Sequence, residues 1–170
     1  YIKNNIENLN LKYLNRINKN IDTVSGKKII YQGSLNKDRG IELMIDCMFF
    51  IDATLFLVGD GDVKEQLERK VIQNKISNKV KFLGRVPFDY LRHITVKMDL
   101  GLSFEEDVCL AYKFSLPNKI FDYIHAEIPI LVSCLPEMKA LINKYHVGEV
   151  LDSRSPEIAS QKIINLIKKK

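Results

Sequence analysis

The chain lacks a paired set of cysteines, a long apolar run and any assembled nucleophilic triad, and each absence removes a class of protein. Its three cysteines, Cys47, Cys109 and Cys134, are odd in number, widely spaced and set among apolar neighbours. They suggest neither a disulfide framework nor a zinc site, and a reducing cytoplasm fits best. No apolar run approaches the roughly 18 residues needed to cross a bilayer, and the first residues lack a signal-peptide pattern. His93, His125 and His146 stand far apart without a serine, cysteine or acid to serve. They read as surface or packing histidines.

What is present is an ordinary globular composition: 170 residues, 46% hydrophobic and 28% charged. That length buries one substantial core and is short for two full domains. The net charge of +5 includes the terminal Lys168, Lys169 and Lys170. Such mild basicity suits an anionic lipid, a nucleic acid or a small phosphorylated ligand without choosing among them. Residues 1–26 are rich in Asn and Lys, with Ile2, Ile6, Leu9, Leu11, Leu14 and Ile17 scattered through them. They read as a linker or the remnant of a missing N-terminal domain, and residues 27–170 as the folded unit.

From Lys27 onward short apolar runs alternate with amphipathic stretches, the pattern of βαβ units around a parallel sheet. The runs are Ile29–Gln32, Thr54–Val58, Val80–Leu83, Asp99–Leu102, Ile130–Val132 and Val147–Leu151. Between them, Ile41, Met44, Ile45 and Met48 keep i, i+3, i+4, i+7 spacing, and Val63, Leu67 and Val71 keep i, i+4, i+8. Similar helices are expected over Tyr90–Val96, Asn118–Ala126, Glu137–Lys144 and Pro156–Ile167. The fold class is therefore α/β: one Rossmann-like, doubly wound parallel sheet of about six strands with helices on both faces. Ligands of such sheets sit beyond the carboxyl ends of the strands.

The loops at that edge carry the chemistry. In the first, Gly33 lets backbone approach a ligand closely, and Arg39 sets a guanidinium at the opening of a helix. This suits a diphosphate grip; the plain alternative is a strand-to-helix turn with a solvated arginine. Gly59-Asp60-Gly61 lacks the third glycine, lysine and hydroxyl of a phosphate loop and reads as a tight turn. Arg85 and Val86, after Gly84, offer backbone groups to a planar base, although a simple turn accounts for them too. In the fourth region Ser115, placed as a helix cap, is followed by Asn118, Lys119 and Asp122 on one face, with Ile120, Phe121 and Ile124 on the buried one. These groups converge on a helix N-terminus, where free N–H groups favour phosphate. The alternative is a capped helix with a Lys119–Asp122 surface pair. Glu105, Glu106 and Asp107, adjacent acids in a loop, read as solvated and receive no role.

The order of YQGSLNKDRG (31–40), FLVGDGD (56–62), VKFLGRVP (80–87) and SLPNKIFDYIHAEIPILVS (115–133) resembles the C-terminal domain of the group 1, or family 4, glycosyltransferases. These are enzymes of the GT-B type, with two facing Rossmann-like domains. The resemblance implies that Arg39 contacts the donor diphosphate, where the family commonly has lysine, while a second basic position of the family falls on Ser34. It implies a ribose contact for Asp122, which takes the place of the second of two family glutamates. The first falls on Phe114, and Lys119 of the Pro117-Asn118-Lys119 variant supplies the lost polar contact or a phosphate charge. Glu127 stands where the family usually has glycine; a turn needing positive φ there would strain it.

The resemblance further implies transfer of a sugar from a UDP- or GDP-type donor to a glycan or lipid-linked saccharide, with retention and without an obligatory metal or a separate cofactor. Arg39 and Lys119 would stabilise the leaving diphosphate; Gly33, Ser34, Arg85, Val86, Ser115, Asn118 and Asp122 would complete the donor site. The expected partners are the donor and a missing N-terminal acceptor domain, with peripheral contact at the inner face of the cytoplasmic membrane and no nucleic acid. Activity of the isolated chain is expected to be weak or absent. The competing reading is a non-catalytic nucleotide-binding module acting through protein partners. A receiver would need clustered acids where Gln32, Gly33 and Ser34 stand, a dehydrogenase would need G-x-G-x-x-G there, and a nucleic-acid binder would interleave aromatic and basic residues.

Overall fold

The structure is a computed structural model and describes residues 10–168. Six strands pair in parallel throughout: β1 (Lys27–Gln32), β2 (Ala53–Val58), β3 (Val80–Gly84), β4 (Leu100–Ser103), β5 (Ile130–Ser133) and β6 (Gly148–Leu151). Their order is β3-β2-β1-β4-β5-β6, so the expected doubly wound Rossmann-like sheet is the one observed. All six residues of β2 are buried, as a strand covered on both faces requires.

Alternate residues of each strand feed two cores. On one face Ile29, Tyr31, Leu55 and Leu57 pack with side chains of α2 (Ile41–Cys47), α3 (Lys64–Gln73) and α8 (Pro156–Lys168). On the other, Ile30, Phe56, Ile130 and Val132 meet α4 (Phe88–Thr95), α6 (Asn118–His125) and α7 (Pro136–Tyr145). A short α5 spans Leu110–Lys113, which no periodicity had marked.

The N-terminal stretch departs from its expected irregularity. Leu11–Asp22 form a helix, α1, whose N-cap Asn10 accepts the Tyr13 N–H through its side chain. Tyr13, Ile17 and Ile21 follow one face, and Ile17 and Ile21 are buried in the second core. The Asn10 N–H also donates to Tyr90 Oη at 2.7 Å, and the Tyr13 ring lies edge-on to Tyr90 at 4.9 Å. Packing of the sheet thus begins before residue 27. The scattered Ile2, Ile6 and Leu9 lie outside the described residues. No helix among the described residues is long and apolar enough to cross a membrane.

The chain runs outward from β1 through β2 to β3, then returns to place β4 on the opposite side of β1. That reversal opens a crevice beyond the carboxyl ends of β1 and β4. A register shift at Leu57/Val58 puts one extra residue on β3, and Gly84 follows at φ 70°. Such a bulge bends the strand end. It carries Arg85 and Val86 to the rim of the crevice.

Candidate functional site: the cleft at the strand-order reversal

A cleft of about 740 Å³ occupies this crevice, lined by the loops after β1, β2 and β3 and by the first turns of α6. The volume is within the range of small-molecule sites. Two of the loops are laced together by backbone: the Leu35 N–H donates to Asp60 O at 2.9 Å and the Val63 N–H to Leu35 O at 3.0 Å. Gly59, at φ 147°, packs so closely that a Cβ would fall 1.8 Å from Gly33 O. Glycine at 59 thus permits two loops to touch, beyond the tight turn expected of it.

Beneath these loops lies a charged cluster. Lys119 Nζ donates to Glu105 Oε1, and Glu105 Oε2 accepts the Ser103 hydroxyl at 2.6 Å. Glu105 is 0% exposed and Lys119 8%. Arg39 Nη1 approaches the same carboxylate oxygen at 3.9 Å. Each cation also faces an aromatic ring: Arg39 lies 4.7 Å from the Tyr112 centroid and Lys119 Nζ 4.6 Å from that of Tyr31. Burial pushes the Lys119 ammonium below its ordinary pKa, and the Glu105 charge opposes the shift. Burial, reinforced by Glu105, raises the Tyr31 hydroxyl well above its usual value. Tyr31 therefore remains a donor, to Ser34 O at 2.8 Å.

The expected solvation of the Glu105-Glu106-Asp107 run is corrected at its first member. Sequence reasoning missed Glu105 because three adjacent acids resemble a solvated loop. The available signal was its place two residues beyond Ser103, where the buried end of β4 meets the carboxyl edge. Glu106 and Asp107 do behave as surface groups, pairing with Arg154 at 2.8 Å and Lys113 at 3.4 Å.

Helix α6 opens into the cleft without a side-chain cap, its N-cap being Pro117. The first hydrogen bond of the turn is Ile120 N–H to Pro117 O at 3.0 Å, which leaves the Asn118 and Lys119 N–H groups unpaired among the described residues. The expected Ser115 cap is corrected here: the Ser115 hydroxyl donates to Tyr112 O at 2.8 Å, and Ser115 does not line the cleft. The helix also sits on the sheet differently than expected. Lys119, Ile120 and Tyr123 are its buried residues, whereas Phe121 is 41% exposed. Tyr123 takes the inward position because Gly101 leaves room for its ring; a Cβ there would meet the ring at 2.4 Å. A Lys119–Asp122 surface pair is absent, because Lys119 is committed to Glu105.

Asp122 does line the cleft, one turn along α6. Gln32 Nε2 donates to its Oδ2 at 2.7 Å. Burial raises the Asp122 pKa, while the Gln32 hydrogen bond and the nearby His125 lower it, burial being the larger influence. Of the residues singled out from sequence, Gly33, Ser34, Arg39, Arg85, Val86, Asn118, Lys119 and Asp122 all line this one cleft. Tyr31 and Gln32 line it as well and were not foreseen. Among the described residues no three His, Cys, Asp or Glu side chains gather as metal ligands.

Known proteins place this architecture. The uncharacterized glycosyltransferase MJ1178 of Methanocaldococcus jannaschii is 32% identical over 95 residues, covering 52% of this chain and 27% of that protein. Sucrose-phosphate synthase from Thermosynechococcus elongatus shares the fold with a TM-score of 0.75 at 14% identity, over 91% of this chain and 39% of its own. Anabaena Alr3699/HepE, solved in complex with UDP, does so with a TM-score of 0.71 at 17% identity, over 93% of this chain and 42% of its own. The chain thus spans less than half the length of each. The profile of the group 1 glycosyl transferases matches residues 26–169, nearly the whole sequence, and the chain belongs to that family.

Proposed function

We propose that the cleft holds the nucleoside diphosphate of a nucleotide-sugar donor, and that the chain is the donor-binding part of a glycosyltransferase. The observation that carries this reading is the uncapped start of α6 opening into the cleft, with Arg39 and Lys119 beside it and Asp122 one turn deeper. Unpaired N–H groups and the positive helix end favour a phosphate oxygen. Two cations against the single Glu105 carboxylate leave a positive surplus, and Arg39 Nε has no hydrogen-bond partner among the described residues. Asp122 in this reading accepts hydrogen bonds from a ribose diol. Arg85 and Val86 form the rim on which a base would rest.

Sugar transfer builds negative charge on the departing diphosphate. Donors fixed in advance around that position lower the barrier without a proton relay. Arg39 meets the phosphates directly in this reading. Lys119, held lower by Glu105, contributes chiefly through its charge and the backbone N–H at the helix start. The UDP complex of HepE supports a uridine nucleotide as the first ligand to try, ahead of its guanosine counterpart. An acceptor-binding domain preceding this chain, a glycan or lipid-linked saccharide acceptor, retention at the anomeric carbon and a cytoplasmic membrane-face location complete the proposal. The fraction of each relative that the chain spans supports the first, and the +5 charge accords with the last.

A thermal-shift panel of UDP, GDP, ADP and their sugars tests the reading. One nucleoside diphosphate is expected to raise the melting temperature, and both Arg39→Ala and Asp122→Ala to abolish the rise. Indifference of the folded protein to the entire panel overturns it.

A further inference from the structure

Gln32 ends β1 at the strand-order reversal, beside Val58 of β2, and is 3% exposed. An amide buried there is costly unless both its ends are bonded. Both are. Nε2 donates to Asp122 Oδ2 at 2.7 Å, and Oε1 accepts from Thr95 Oγ1 at 2.9 Å. The Gln32 backbone N–H also donates to Tyr123 Oη at 3.1 Å, so consecutive residues of α6 are tied to the same point on β1.

The direction of these bonds follows from the carboxylate. Ionised Asp122 only accepts, so the amide must turn its NH₂ toward it and its oxygen toward Thr95. Thr95 is 1% exposed, and its hydroxyl stands 2.8 Å from Leu91 O as well as near Gln32. A hydroxyl carries one proton. With the Gln32 oxygen facing it, donating that proton to the amide completes the chain Thr95 to Gln32 to Asp122. Oδ2 of Asp122 is thereby fixed, and Oδ1 has no hydrogen-bond partner among the described residues. The result is a carboxylate with one edge anchored and the other open at the cleft wall.

We infer that Gln32, oriented by Thr95, is a positioning residue that sets the plane of the Asp122 carboxylate for a ribose diol and so makes the site select ribonucleotides over deoxyribonucleotides. This rests on the reading of the cleft as a nucleoside-diphosphate site. An apolar residue at position 32 would pack as well against the sheet but would leave Asp122 free to rotate and hydrate. Gln32 supports the ionised form too, because its N–H bond opposes the effect of burial on Asp122.

Calorimetric titration of the whole chain with UDP, 2′-deoxy-UDP and 3′-deoxy-UDP reads the selection directly, with the guanosine series as a parallel arm. The wild-type protein is expected to prefer the ribonucleotide by about tenfold or more, the scale of a hydrogen bond to a charged group. Gln32→Leu is expected to bring that ratio close to one. Thr95→Val is expected to reduce the ratio and Thr95→Ser, which keeps the hydroxyl, to restore it; these two carry the test if Gln32→Leu does not fold. A folded Gln32→Leu with the wild-type ratio, or equal ratios in the two Thr95 variants, overturns the inference alone. Wild-type binding without ribose preference also overturns it while sparing the donor-site reading. No binding in either series removes both.

Discussion

Glu105 and Lys119 form a buried ion pair at the floor of the cleft, with Glu105 0% and Lys119 8% exposed. Removing one partner of such a pair strands a charge in a poorly solvated place, at a cost of about 3–5 kcal/mol. Glu105→Gln is expected to lose stability on that scale in urea denaturation. Replacing both together, Glu105→Leu with Lys119→Met, is expected to regain most of it, since neither charge of the pair is then orphaned and Arg39, a quarter exposed, keeps access to water. A double variant as unstable as the single one would contradict this.

Asp122 makes a contribution to stability that depends on pH. Its carboxyl holds a proton more tightly in the folded protein than in the unfolded chain, because burial raises its pKa. The folded state is therefore favoured at low pH, and this contribution falls as pH rises from the ordinary value of 3.8 through the raised one. Asp122→Asn is expected to abolish that slope and to be as stable as the wild type at neutral pH, or more so. If Asp122 receives the ribose as proposed, nucleotide binding is expected to run the opposite way, weakening as pH falls toward the raised value. Denaturation and calorimetry on both proteins across pH 4 to 7 measure the two trends.

Glu127 adopts φ 56°, the left-handed conformation, which meets the condition under which glutamate at this position is strained. Such a backbone costs an ordinary L-residue roughly 1–2 kcal/mol, part of which glycine returns through its greater freedom when unfolded. Glu127→Gly is expected to raise stability by about 0.5–1 kcal/mol, seen as a higher melting temperature. Because residue 127 is exposed and outside the cleft, nucleotide affinity should not change.

Gly59→Ala should do the reverse. Its Cβ would fall 1.8 Å from Gly33 O at a backbone φ of 147°, so the two loops must separate. A loss of about 3 kcal/mol is expected. Hydrogen exchange should then show weakened protection at the Leu35 and Val63 N–H groups, which bond across the loops.

The sheet was legible because parallel strands buried on both faces leave short apolar runs, and helices between them leave a longer period. Residues 11–22 were less so. Their Tyr13, Ile17 and Ile21 stripe is thin, and asparagine and lysine interrupt it; only docking on Tyr90 and the second core reveals its purpose. In the cleft, residues identified by local spacing were found, whereas partners distant in sequence were not. Glu105 meets Lys119 across the end of β4, and Gln32 meets Asp122 from β1. Ser115 failed for the opposite reason: its type and position suit a cap, but the chain turns at Pro117 and leaves the hydroxyl facing Tyr112 O.

The most direct test of the donor-site account is a crystal structure of this chain with UDP bound. The account predicts the diphosphate against the Asn118 and Lys119 N–H groups within reach of Arg39, and the ribose hydroxyls within hydrogen-bond distance of Asp122. UDP seated elsewhere, or bound in this cleft with Asp122 untouched by the ribose, would contradict it.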